Sequence, residues 1–339
     1  MKVLIFLAFG CLTVYASPSL RVSGENGWYI PQENGSFKWI DMHKADSYLK
    51  SIRIIKDFKL LTNPVEYYLY TKSNPTSGEI ITAEADSINA SNFNSSNPTR
   101  FVVHGWTQSW LSDMNIRIRD AWLSLGEYNI IIVDWARARS VDYYTSVLAI
   151  PGVGEQVANM VDYLASVYSM SLNTLHVIGF SLGSHVAGYC GKNVVTGQIR
   201  VIIGLDPSLP LFKYEEPDKR LNNNDAYYVQ SIHTNGGQLS FLEAIGRGAF
   251  YPNGGESQPG CILDVTGVCS HFRSYIYYAE AVAKNNFGTI QCANYEDAVA
   301  KDCGNVFSSV RMGAVSNADM VGGVFYVPVN SQSPYGILS

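Results

Sequence analysis

"LHVIGFSLGSHVAG", residues 175–188, decides the fold: an apolar run, a serine held between glycines, then a stretch that can continue as a helix. Leu175–Gly179 reads as a buried strand, and Gly179-Phe180-Ser181-Leu182-Gly183 as a sharp turn into that helix. Flanking glycines relieve crowding in such a turn and leave the serine hydroxyl clear of the backbone. The helix N-terminus adds unpaired N–H groups and the positive end of a dipole. Taken alone, a G-x-S-x-G pentapeptide is weak, because both residue types are common. The strand before it and the helix after it give it weight.

The pattern alternates on either side. "RFVVHG" (100–105) reads as a buried strand, and Met114, Ile118, Ala121, Trp122 and Leu125 follow at helical spacing, closed by Gly126. "NIIIVDW" (129–135) is another strand, and Val153, Val157, Met160, Val161 and Leu164 mark an amphipathic helix. "RVIIGLD" (200–206) is the strand after the turn. Continuous apolar strands alternating with helices predict an α/β fold with a mostly parallel central sheet flanked by helices. No composition break divides it, so a single domain is expected. Ligands bind such sheets at the carboxyl ends of strands, where Ser181 and Asp206 both fall.

The 339 residues carry a net charge of −5 without Lys/Arg clusters, which argues against nucleic acid as a partner. Lys2 followed by "VLIFLAFGCLTVYA" reads as a secretory signal cut after Ala16. That run is too short to span a bilayer comfortably, and no later segment is long and apolar enough. An extracellular, oxidising setting predicts two bridges between close cysteines, Cys261–Cys269 and Cys292–Cys303. Cys190 is left as a small buried hydrophobe, and the cysteine spacing fits no metal site. Asn34, Asn89 and Asn94 each open an N-x-[ST] sequon. Residues 17–60 look polar and irregular, an N-terminal arm or a propeptide, ahead of a main domain over 61–339.

A serine hydroxyl is inert without a base and an acid to orient it. In α/β-hydrolases the chain order is Ser, Asp/Glu, His. Of six histidines, His43, His104 and His176 precede Ser181, and His185 lies on the helix just behind it. His233 and His271 remain. His233 sits in or at the end of a strand, which suits a structural role. His271 follows Cys269 in a loop that a disulfide would pin, which suits a preorganised base. Asp206, before Pro207, stands where an orienting carboxylate belongs, although a turn former there would look the same. Asp264 lies in a loop with no strand to aim it. This chemistry needs no cofactor and no metal.

"RFVVHGW", "GFSLGSHVAG", "GLDPSLPLF", "IHTNGG", "FYPNGGESQPGC" and "CSHFRSYIYY" occur in this order over roughly residues 60–330. Together they resemble the landmarks of the animal pancreatic-lipase family, secreted triacylglycerol lipases and phospholipases A1. The resemblance implies an α/β-hydrolase fold with Ser181, Asp206 and His271 as a triad. It also implies an oxyanion hole from the N–H groups of Leu182 and Trp106, although Trp106 could equally wall the acyl groove. A lid is implied over Cys261, Ile262, Leu263, Asp264, Val265, Thr266, Gly267, Val268 and Cys269. Seven residues between the cysteines make that lid short, and the bridge restrains it by roughly 2.5 kcal/mol.

A short apolar lid resembles the phospholipase A1 members, including those of insects, and suits peripheral contact with a lipid surface. Triacylglycerol or galactolipid hydrolysis is the alternative. A storage protein of the same fold that has lost its nucleophile is the remote one. The segment resembling a calcium site carries Asn222 where a carboxylate is expected, beside Asp225, so weak or no calcium binding is predicted. The chain ends soon after the region of resemblance, so neither a C-terminal β-sandwich nor a colipase partner is expected. Nothing in it fixes the oligomeric state.

Overall fold

The computed structural model describes residues 20–32, 34–55, 64–313 and 321–338. The expected signal peptide, 1–16, lies outside them. In chain order, a hairpin of β1 (Gly27–Pro31) and β2 (Phe37–Asp41) leads into α1 (Met42–Ile55). Then come β3 (Val65–Tyr70), β4 (Glu79–Ile81), α2 (Ala85–Asn89), β5 (Thr99–Val103), α3 (Asp113–Leu125), β6 (Asn129–Trp135) and α4 (Tyr143–Tyr168). The middle of the chain forms β7 (His176–Phe180), α5 (Leu182–Asn193), β8 (Val201–Leu205), β9 (Tyr228–Ile232) and β10 (Gly248–Pro252). It closes with α6 (Val268–Lys284), β11 (Ile290–Cys292), α7 (Tyr295–Ala300) and β12 (Gly323–Val327).

Among the described residues one sheet of ten strands runs in the order β11-β12-β10-β9-β8-β7-β5-β6-β3-β4. The run from β12 to β6 is parallel, and β3, β4 and β11 add antiparallel edges. Both faces of the centre are covered, which is why its strands read as unbroken apolar runs. Successive side chains divide between the faces: Phe101 and Val103 join the core beneath α4 and α5, while Val102 joins the one that contains Met114, Ile118 and Trp122 of α3. The sequence placed the central strands and α3 within a residue or two, and α3 ends against Gly126 as expected, whereas α4 begins ten residues before the Val153 that marked it.

Residues 17–60 depart from the irregular arm expected of them. Gly27–Asp41 form an antiparallel hairpin in which Trp28 and Ile30 are fully buried in the main core, and α1 follows with Ala45 buried. Short polar stretches hid this, because a single hairpin gains its stability from what it packs against. Both expected disulfides are formed, Cys190 is free and buried, and no helix among the described residues is long and apolar enough to cross a membrane.

Candidate active site

In-register parallel pairing builds the site. Phe180 at the end of β7 sits opposite Leu205 of β8, and Leu205 opposite Ile232 of β9, so the next residues, Ser181, Asp206 and His233, emerge side by side. The ladder continues one step beyond the strands: Ser181 N donates to Leu205 O at 2.9 Å and Asp206 N to Ile232 O at 2.7 Å. Both residues are held at positive φ, +54° for Ser181 and +47° for Asp206, a conformation that costs side-chain-bearing residues energy. Close packing enforces the turn. A Cβ on Gly183 would sit 2.3 Å from Val103 O, and one on Gly105 would sit 2.9 Å from Ser181 Cβ. Only glycine lets α5 and the loop after β5 approach the serine this closely.

Asp206 is fully buried, and both carboxylate oxygens are engaged. Oδ1 accepts from Thr234 N (2.6 Å), Asn235 N (3.1 Å) and Ser240 Oγ (2.6 Å). Oδ2 meets His271 Nδ1 at 2.6 Å. The carboxylate therefore fixes the ring and leaves Nε2 to face elsewhere, the orienting function an acid serves beside a base. His271 is not in a loop, as expected, but in the first turn of α6. The Asp264 carboxylate caps that turn, accepting from Cys269 N at 3.1 Å and Ser270 N at 2.7 Å. Asp264 is thus aimed by the disulfide-closed loop instead of by a strand.

A cavity of about 190 Å³ opens over this edge and is lined by Ser181, His271, Trp106, Phe180, Tyr143 and Leu239, among others. Among the described residues no hydrogen bond links Ser181 Oγ to the ring; the two meet across the cavity, and such bonds commonly tighten only around a substrate. Phe180 packs its ring 4.6 Å from that of His271, which limits the swing of the imidazole.

Trp106 follows β5 and Gly105 in the loop nearest the serine. Its indole Nε1 donates to Ser140 O at 2.7 Å and its ring stands edge-on to Tyr143 at 5.3 Å. The side chain walls the cavity and is committed to the turn after β6. Among the described residues neither Trp106 N nor Leu182 N has a hydrogen-bond acceptor. The loop is held from below by buried His104, whose ring nitrogens lie 3.0 Å from Gly105 O and 2.8 Å from Asp134 Oδ1. Burial alone would raise the Asp134 carboxyl, but hydrogen bonding from His104 and Arg139 outweighs it and holds the group below its ordinary value.

His233 and His185 are structural. His233 bonds Phe241 O at 2.7 Å and Ser231 Oγ at 2.8 Å, and stacks on Tyr251. His185 accepts from Leu221 N at 3.1 Å through Nδ1, so its proton is on Nε2 and is given to Ser208 O at 2.7 Å. Burial lowers its pKa to about 3, which keeps it neutral. Asp225 is committed to Lys192 at 2.5 Å and to Asn222 N at 2.9 Å, and the segment buttresses α5. Asn34, Asn89 and Asn94 are all exposed.

Thr234, Asn235 and Ser240 escaped the sequence reading, though "HTNGG" directly after a strand is a polar turn of the kind that presents backbone N–H groups. The loop expected to act as a lid is closed by the Cys261–Cys269 bridge, and Ile262, Leu263 and Val265 on it are 88%, 89% and 82% exposed.

The parallel sheet, the strained turn at its carboxyl edge and the cavity above define an α/β-hydrolase. The chain belongs to the pancreatic-lipase family: the family model described as Lipase matches residues 43–335. Pancreatic triacylglycerol lipase of Mus musculus is 34% identical over 264 residues, covering 70% of this chain and 56% of that protein. The Homo sapiens protein of that name is 33% identical over 264 residues, with the same coverage. Pancreatic lipase-related protein 2 of Mus musculus is 34% identical over 265 residues, 70% of this chain and 54% of its own length. The chain spans about half the length of the curated relatives it matches.

Proposed function

We propose that this chain is a secreted carboxylic-ester hydrolase acting on lipids, with Ser181 as nucleophile, His271 as base and Asp206 as its orienting acid. The observation that carries the reading is the 2.6 Å Asp206–His271 bond at the rim of the cavity that Ser181 enters from its strained turn. Ser181 Oγ adds to the acyl carbonyl as His271 Nε2 takes its proton. The carbonyl electrons pass to oxygen, held by the N–H groups of Leu182 and Trp106. Collapse expels the alcohol, which takes the proton from His271, and water repeats the sequence to free the fatty acid. No cofactor enters.

Phospholipase A1 activity is the substrate reading. It is supported by the short disulfide-closed lid, whose exposed Ile262, Leu263 and Val265 suit contact with a bilayer surface. Triacylglycerol hydrolysis is the second reading, favoured by the names of the relatives. Secretion is supported by the signal-like N-terminus and the two bridges, and Asn34, Asn89 and Asn94 are available to glycans.

An alkyl fluorophosphonate followed by peptide mapping tests the chemistry: the adduct should lie on Ser181, and a folded protein left unmodified there sinks the enzyme reading. Phosphatidylcholine labelled separately at sn-1 and sn-2, with triolein alongside, tests the substrate. Label should leave sn-1; release from triolein alone would reverse the ranking.

A further inference from the structure

The hairpin of β1 and β2 ends before or at the edge of the region matched by the family model, residues 43–335, yet four of its residues border the candidate active site. Pro31, Gln32, Gly35 and Phe37 line the same cavity as Ser181 and His271. We propose that this hairpin is a wall of the acyl-binding site, with Phe37 and Pro31 in contact with the fatty-acyl chain. The inference rests on the ester-hydrolase reading above and adds a binding element to it.

The hairpin is built to hold such a wall in place. Trp28 and Ile30 are buried in the main core, so the strand is anchored through one face while its end is presented to the cavity. Tyr29 and Trp39 pack edge to face across the pair at 4.9 Å. At the turn, Gln32 N donates to Ser36 O at 2.9 Å, and Gln32 Nε2 lies 3.1 Å from both Ile30 O and Pro31 O. Helix α1 pins the far end: Asp46 pairs with Lys213 at 3.0 Å and Tyr48 packs edge-on to Tyr144 at 4.8 Å. A wall with this much support is preorganised, which lowers the ordering cost of binding a flexible chain.

The occupant follows from the lining. No Asp, Glu, Lys or Arg borders the cavity among the described residues, and its walls are mainly aromatic and aliphatic. A phosphate or a charged headgroup would lose its hydration there with no partner to replace it. An alkyl chain loses nothing and gains apolar burial.

Binding of a fluorescent dodecanoic acid to the Ser181→Ala protein reads the proposal without needing turnover. With Phe37→Asp added, which sets a carboxylate in the apolar wall, the dissociation constant should rise about tenfold or more. Lys38→Asp, on the exposed neighbour, should leave it within about twofold, because that side chain faces away from the cavity. Equal affinity of the Phe37→Asp and parent proteins overturns the proposal. Should Phe37→Asp fail to fold, Phe37→Trp in the active chain gives a second reading through p-nitrophenyl esters. The added bulk should lower the kcat/KM ratio of the dodecanoyl to the butanoyl ester about fivefold or more. An unchanged ratio in a folded protein overturns it equally. Failure of the parent reading appears separately, as wild-type protein that is unlabelled at Ser181 by a fluorophosphonate.

Discussion

The floor and the rim of the cavity are made differently. On the floor, Ser181 and Asp206 continue hydrogen-bonded strands of a parallel sheet, both at positive φ, and Asp206 accepts three bonds besides the one to His271. On the rim, a two-stranded hairpin and a disulfide-closed loop supply part of the lining, and the loop turns Ile262, Leu263 and Val265 to solvent. Strain can be stored in the floor because the surrounding structure over-determines it. The rim stands on separate supports, so under the proposed reading variation there alters which molecule fits without disturbing the reacting groups. Reaction and selection are thereby separated in space.

If that division is right, the largest losses come from the floor. Ser181→Ala should lower kcat on a soluble p-nitrophenyl ester by roughly 10⁵-fold, and Asp206→Asn by about 10⁴-fold, with thermal midpoints close to the parent's. Asp206→Asn also deprives Thr234 N, Asn235 N and Ser240 Oγ of a charged acceptor, so its midpoint is the more sensitive of the two. Wild-type kcat in either variant would end the triad assignment.

The floor was legible in the sequence for the reason that makes it rigid. Strands buried on both faces leave unbroken apolar runs, and "GFSLG" between a strand and a helix admits few geometries. Chain order then reduced six histidines to two, and the structure sets His271 against Asp206 while His233 is spent on Phe241 O and Ser231 Oγ. The rim was less legible because its residues owe their places to contacts distant in sequence. Nothing local to Trp28 and Ile30 announces that they bury against the main core. Asp264 reads as an ordinary loop acid until α6 is seen to begin at Val268, which turns it into a cap and moves His271 from loop to helix.

Effects on the rim should depend on the physical state of the substrate. If Ile262 and Leu263 enter a lipid surface, the pair Ile262→Asp/Leu263→Asp forfeits part of about 1.5–3 kcal/mol for each side chain. The ratio of hydrolysis on phosphatidylcholine vesicles to hydrolysis of a soluble ester should drop about 10- to 100-fold, alongside a matching loss in vesicle sedimentation. A ratio that stays put would mean that the lid is only a restrained turn.

Asp264→Ala links rim to floor. Losing the cap on Cys269 N and Ser270 N should cost about 1 kcal/mol, or about 2 °C in thermal midpoint. Because the same turn carries His271, kcat should fall severalfold while Cys261–Cys269 still forms. A lower midpoint with unaltered kcat would show that Asp264 stabilises the turn without positioning the base.

A last effect is one of pH, and it belongs to the floor's support. His185 is buried and neutral, joining Leu221 N to Ser208 O beneath the serine, with its pKa lowered to about 3 by burial. In the unfolded chain the same imidazole titrates near 6.5. Above that value it is neutral in both states and its contribution to stability is complete. Below it the unfolded chain takes up a proton that the folded protein refuses, so stability declines as pH falls toward 3. His233, whose pKa burial also lowers, adds to the same slope. Between pH 6.5 and about 5.5 ordinary carboxylates titrate little, so urea midpoints in that window report chiefly on the histidines. His185→Gln can still accept from Leu221 N and donate to Ser208 O, and it should flatten the decline while lowering the midpoint at pH 7.5 only modestly. A decline as steep as the parent's would assign the acid sensitivity to other groups and leave His185 as packing alone.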